Sequence, residues 1–332
     1  MTPKRLRNSH NPACKCAPNL YLAANFLEPD DKYRAFLAVR SAMESVDGLT
    51  NGNQTTGKLT QRVKNQILSK LDRFARMFRN RSFDNSLPYT QDLKLAIARF
   101  NIPDWPFAKM AEAMKFNLEN DRFESFERLA AFLQDTAAPP ASIFFHLAGC
   151  SFDERGQVNL PSFDIEAAAR PMASFCSLTH ILIDCKADFL SDPKPVIYLD
   201  LDTTDSFHIT ENHLAEAVQT GEPSLKLTKM IMRYYNLLTD FQTGAEKSLG
   251  DLIDQLPEDG KFALSFIFEI YSRLTAKISN NRYNLFSANF DLTPDEIESA
   301  ALAAARRSHI SPEQITDRLG VLISPKKTAL FP

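Results

Sequence analysis

No proline interrupts the chain between Pro29 and Pro88, and further proline-free windows run from 107 to 138, 224 to 256 and 258 to 293. Proline removes a backbone donor and clashes with the preceding turn inside a helix, so windows this long leave room for uninterrupted helices of ordinary length. Within them apolar residues recur at intervals of three and four. Examples are Phe36, Leu37, Val39 and Met43; Leu59, Val63, Ile67, Leu68, Leu71 and Phe74; and Leu227, Met230, Ile231, Tyr234 and Leu238. That is the period of an amphipathic helix and not the alternation of a strand. Breaks are expected at 48–57, 80–89, 150–162, 199–212, 219–223, 255–260 and 289–296, where turn-forming residues cluster. The fold class predicted is all-α, one helical domain over 19–307, preceded by a basic leader (1–18) and followed by a tail (308–332).

Composition narrows the function classes. Only 10 of 332 residues are glycine, under half the usual share of about 7%. None of them forms GxGxxG, GxxxxGK[ST] or GxSxG, so dinucleotide folds, P-loops and nucleophile elbows lack their sequence basis. The formal net charge of −3 gives no bulk attraction for nucleic acid. Five cysteines, Cys14, Cys16, Cys150, Cys176 and Cys185, contain no CxxC pair, which suits buried small hydrophobes in a reducing, cytoplasmic setting. Cys14, Cys16 and His10 are read as an incidental part of the leader. No apolar run approaches the roughly 18 residues of a membrane span, and no basic amphipathic helix of the membrane-lying kind is evident. Peripheral membrane association would then rest on an insoluble product alone.

The segment PMASFCSLTHILIDCKADF (171–189) carries the most chemical information. It is apolar nearly all round, as an interior helix would be. Yet Ser177, His180, Asp184 and Asp188 form one polar stripe. Unpaired carboxylates cost several kcal/mol in an apolar interior, so cations, donors or water must meet them. Carboxylates at i and i+4 can also hold a hard divalent cation that keeps its waters and bridges a diphosphate. The plainer alternative is that Lys186 or an arginine from another helix neutralises them. In KYRAFLAVRSAMESVD (32–47), Arg40, Glu44 and Asp47 share a second face. They read either as oxygen ligands with a phosphate donor, or as a surface ion pair worth about 0.3–0.5 kcal/mol.

Taken together, these segments resemble the squalene and phytoene synthase family of head-to-head prenyltransferases. SLTHILIDCKADFLSDPKPVIYLDLD (177–202) is similar to the pattern QLTNILRDxxxDxxxGRxYLP, with Leu178, Thr179, Ile181, Leu182, Asp184, Asp188, Tyr198 and Leu199 in step. FLAVRSAMESVDG resembles FYxxxRxxDxxxD, with Arg40 and Asp47 in step. NLYLAANFLEP near the start, RFESFERLAAFLQDTAAPPASIFFHLAG (122–149) and the stretch 262–296 are similar to other family segments. The chain departs from the patterns in places. Met43 stands where the first motif has its leading Asp; Ser177, His180 and Ile183 replace Gln, Asn and Arg; Asp200 replaces Pro; and Asn117, Phe132 and Ala141 replace an acid, a Tyr and a Gly.

The resemblance implies an isoprenoid-synthase-like helical domain around a central cavity, with Mg²⁺ held between two acidic motifs at its mouth. It implies prenyl diphosphate substrates, farnesyl or geranylgeranyl diphosphate, condensed head to head as in squalene or phytoene synthesis. Carried over residue by residue, Asp184, Asp188 and Tyr198 are expected to be catalytic. Tyr21, Arg40, Ser177 and His180 are expected to bind substrate, and Glu44, Asp47, Asp184 and Asp188 to ligate metal. Met43 offers no hard oxygen ligand and Ile183 no donor. The alternative expectation is therefore a silent or altered relative, acting as a terpene synthase, a complex subunit or an assembly factor.

Overall fold

The computed structural model describes residues 18–51, 60–83, 89–119, 122–190, 197–311 and 315. His10, Cys14 and Cys16 therefore lie outside the described residues. The long helices are α2 (Asp30–Asn51), α3 (Gln61–Arg79), α5 (Trp105–Glu119), α6 (Phe126–Gly149), α7 (Ile165–Ile183), α11 (Leu225–Leu252) and α12 (Glu258–Asn280). Shorter ones are α1 (Pro18–Ala24), α4 (Thr90–Phe100), α8 (Cys185–Phe189), α9 (Leu201–Ser206), α10 (Glu211–Thr220) and α13 (Pro294–Ser308). The predicted break at 150–162 holds the one sheet among the described residues, a hairpin pairing Ser151–Phe152 with Val158–Asn159. Its turn depends on Gly156 at φ 76° and on Asp153, whose carboxylate accepts from the backbone N–H groups of Arg155 and Gln157.

Caps explain where several helices start. Thr60, Ser125, Asp164, Ser224 and Thr293 each accept a backbone N–H from the first turn of α3, α6, α7, α11 and α13. Thr293 and Glu296 complete a capping box behind Pro294 at the first position of α13. Proline proves a weaker stop than its frequency suggests. α6 runs through Pro139 and Pro140, and α7 through Pro171. The local cost is about 3 kcal/mol per interior proline. It is outweighed in α6 by burial of nearly every residue from Ala138 to Gly149.

Around the interior, helices α1, α2, α6, α7 and α12 contribute rings in contact: Tyr21 with Phe36, Phe36 with Phe144, Phe26 with Phe262 and Phe266, and Phe175 with Phe268 and Tyr271. Where α6 and α12 cross, Gly260 lies against the carbonyl of Ala148. A Cβ there would come within 2.1 Å of that oxygen. Neither backbone can give way without moving its helix, so Gly260→Ala is expected to destabilise the fold by about 2–3 kcal/mol. A chemical melt gives the value; an unchanged midpoint would show that the crossing is loose.

After this core, α13 packs on α12 through Ala300, Ala301, Ala304 and Ala305, all buried. Arg307 of α13 reaches Glu246 and Glu269 at 2.9 and 3.3 Å. Cys150 is buried, whereas Cys176 and Cys185, expected to be buried, are half-buried against the core. Burial pushes Cys150 and Cys185 up to about 12 and raises Cys176 as well.

Candidate active site

Helix α7 carries the polar stripe to one end of the bundle. Its regular course stops at Ile183, and Asp184 joins it to α8, with the backbone N–H of Asp184 bonded to His180 and that of Asp188 bonded to Asp184. The single helix expected over 171–189 is thus two segments hinged at Asp184. Asp184 is exposed and Asp188 half-buried. Burial, then the charge of Asp184, pushes the Asp188 carboxyl up from 3.8 to about 6, and His180 pulls it the other way. Lys186, which the sequence offered as a counter-ion, donates instead to the carbonyl of Phe286 at 2.7 Å. His180 Nδ1 lies 3.6 Å from Asp184 Oδ2. Ser177 is half-buried on α7, and Ile183 packs against the core.

On α2 the first motif has a different character. Met43 is 1% exposed and belongs to the core. Glu44 Oε1 accepts from Arg40 Nε at 2.7 Å and from the Tyr21 hydroxyl of α1 at 3.2 Å. Arg40 and Glu44 do pair, but the side chains are only 17% and 12% exposed, so this is not the solvated surface pair of the plainer reading. The side chains of Asp47 and Asn117 lie outside the described residues.

One residue joins the two halves and was not singled out from the sequence. Tyr271 of α12 shares a 2.5 Å hydrogen bond with His180 Nε2 and is also hydrogen-bonded to Asn19 of α1. Burial raises its hydroxyl well above the ordinary range; the charge of Asp184 adds to this and that of Arg40 opposes it. The available signal was a tyrosine within the apolar run of α12, because a buried phenol requires a polar partner.

Tyr198 closes the other flank. Its ring stacks on Phe132, the residue standing in for the family tyrosine, at 6.5 Å between centroids. With Asp188 it lines a small pocket completed by Ile181, Cys185, Phe189 and Leu214, with room for about one water molecule. Asp200, two residues on, is fully buried. It caps α9 by accepting from the Thr203 N–H at 2.8 Å, and it accepts a 2.5 Å bond from the Tyr234 hydroxyl. Its replacement of the family proline thus has a structural role.

Asp184 and Asp188 suit a hard divalent cation. They are adjacent oxygen donors whose mutual repulsion such an ion would relieve. Among the described residues, no third His, Cys, Asp or Glu completes a metal-binding cluster. The ion would therefore retain waters or substrate oxygens, as Mg²⁺ does. The first motif fits less well, because Met43 offers no oxygen and Oε1 of Glu44 is engaged by Arg40 and Tyr21.

The profile of the squalene/phytoene synthase family matches residues 14–296. No curated protein sequence matches the chain. Three solved structures are similar in fold. The first is a dehydrosqualene synthase in complex with a ligand: 18% identity, TM-score 0.69, 88% of this chain and 92% of that one. The second is the squalene synthase HpnC from Alicyclobacillus acidocaldarius: 16% identity, TM-score 0.62, 82% and 92% covered. The third is YisP from Bacillus subtilis subsp. subtilis strain 168: 15% identity, TM-score 0.58, 87% and 92% covered. With a fold of this similarity and a profile match spanning most of its length, the chain belongs to the squalene/phytoene synthase family.

Proposed function

We propose that the protein acts on a prenyl diphosphate, farnesyl or geranylgeranyl diphosphate, seated at the Asp184/Asp188 end of the bundle. The observation that carries this reading is the state of the acid pair. Two carboxylates one helical turn apart stand beside His180, and burial together with the charge of Asp184 pushes Asp188 up to about 6. Such a pair favours a divalent cation over its own ionised state.

When bound there, Mg²⁺ would neutralise diphosphate and promote its departure. The chain's own residues do the rest. Asp184 and Asp188 hold the ion, His180 is fixed by Tyr271 beside them, and Tyr198 and Phe132 wall the site. The hydrocarbon tail would lie toward the aromatic interior, whose rings are in mutual contact and would have to part to admit it, since the pocket beside Asp188 holds about one water molecule. Head-to-head condensation to a squalene- or phytoene-like product needs a second diphosphate seat. Glu44 and Asp47 are the acids that would have to supply it, with Arg40 as donor.

A second reading has its own support. Met43 is buried in the core and one carboxylate oxygen of Glu44 is already engaged by Arg40 and Tyr21. That favours an altered or silent relative that uses one diphosphate or none. The experiment is Mg²⁺-dependent diphosphate release from either substrate, with extracted products separated by chromatography. A C30 or C40 hydrocarbon is expected if both seats work, and a C15 or C20 product if only the Asp184/Asp188 seat does. No release from folded protein would leave a binding role and overturn the proposed activity.

A further inference from the structure

Among the described helices, α3 carries a marked excess of positive charge. Between 61 and 81 there are seven Lys and Arg and one acid, Asp72, leaving 31 basic and 40 acidic residues elsewhere. A segment of net +6 thus sits on a remainder of net −9. In α3 the apolar stripe Ile67, Leu71, Phe74 and Phe78 is buried, and α5 is the helix it packs against most extensively. Arg62, Lys70, Arg73, Arg76, Arg79 and Arg81 are all exposed. The single acid does not offset them, since Asp72 is bridged to Lys115 of α5 at 2.6 Å.

Helix stability does not account for this pattern. Arg76 and Arg79 in the last turn suit the negative end of the helix dipole. Arg62 and Lys64 sit in the first turn, where no acid is present, against its positive end. A row of like charges on a straight helix also repels itself. The stability of α3 alone thus leaves the basic face unexplained.

We infer that the exposed face of α3 docks the protein on an anionic phospholipid surface by electrostatics alone. None of the large exposed apolar side chains lies on α3, so the face lacks the apolar anchor on which a specific protein interface centres. Its phenylalanines are turned inward, so it offers no stacking platform for nucleic acid bases. A diffuse negative plane asks only for charge spread along a rigid element. A helix of this length spans about 28 Å, enough to lie across several headgroups. Insertion is excluded by the same geometry, because the apolar side of α3 is already packed in the core. The inference does not depend on turnover at Asp184 and Asp188.

The test is co-sedimentation of the full chain with vesicles of phosphatidylcholine, alone or with about one-third phosphatidylglycerol, at about 0.1 M salt. Binding is expected only to the anionic vesicles and should be lost at about 0.5 M salt. Lys70→Gln, Arg76→Gln and Arg79→Gln together should weaken it about 100-fold, each cation contributing about fivefold. The three side chains are exposed, so an unchanged melting curve will show that the variant folds. Lys226→Gln, Lys229→Gln and Arg233→Gln, on the exposed side of α11, should bind like the unaltered protein. Equal binding to neutral vesicles, or equal losses from the two triple variants, would overturn the inference. So would failure to bind any vesicle, including the case in which a DNA duplex or an acidic protein is bound instead.

Discussion

Lys32→Met is expected to lower the melting temperature by about 4–7 °C, an effect of about 3–5 kcal/mol in a chain of 332 residues. Lys32 is fully buried in the first turn of α2, and its ammonium lies 2.8 Å from Asp259 Oδ2 in the first turn of α12. The same oxygen accepts the backbone N–H of Glu28 at 2.9 Å. Burial pushes the Asp259 carboxyl up while Lys32 pulls it down. Without the lysine, burial is opposed only by the backbone donors, and a charge is left in the core. The pH dependence follows from the sign of that change. Already raised with Lys32 present, the folded-state value rises further above the unfolded one when Lys32 is gone, so the added penalty is absent when both states are protonated and grows as pH rises through the interval between them. The deficit of Lys32→Met should therefore be greatest near neutrality and shrink toward about pH 4. Lys32→Met with Asp259→Asn should recover part of the loss, because the amide oxygen still accepts from Glu28 and no charge remains. Thermal melts of the two single variants and the double decide the matter. A double variant as unstable as the sum of the singles would show that the pair does not interact.

The same contrast between local and long-range determinants explains what was legible beforehand. Helix content and the polar stripe of α7 were readable because both depend on spacing along one segment. The pairing of Arg40 with Glu44 was readable for the same reason. Its burial was not, because Tyr21 joins from another helix. Tyr271 reaches His180 across 91 positions of sequence, and nothing local to α12 names its partner. Pro139, Pro140 and Pro171 show the reverse case, a real local cost that is smaller than what burial of α6 and α7 returns. The split of α7 from α8 at Asp184 had no proline or glycine to announce it. The family motifs located Asp184 and Asp188 by position, while the diversion of Lys186 to Phe286 required the fold.

Asp184→Asn and Asp188→Asn are each expected to reduce Mg²⁺-dependent diphosphate release by about 100-fold or more, as loss of an oxygen ligand would. Their effects on stability should differ from those of ordinary core substitutions. The folded-state value of Asp188 is raised to about 6 from 3.8, so its ionisation opposes folding. That penalty is absent below about pH 4, develops up to about pH 6 and is complete above it. Because the side chain is only half-buried, solvent limits the cost to about 1–2 kcal/mol. Asp188→Asn should therefore raise the melting temperature by about 1–3 °C near pH 7.5 and leave it unchanged near pH 4. A cation bound between the acids removes the same repulsion. Mg²⁺ with inorganic diphosphate should then raise the melting temperature of the unaltered protein and leave that of Asp188→Asn where it is. If the pair were structural instead, held by hydrogen bonds that an amide cannot reproduce, both substitutions would lower the melting temperature near neutrality and Mg²⁺ would shift neither protein. The thermal measurement thus separates a metal seat from a packing element whether or not the correct prenyl chain length has been found.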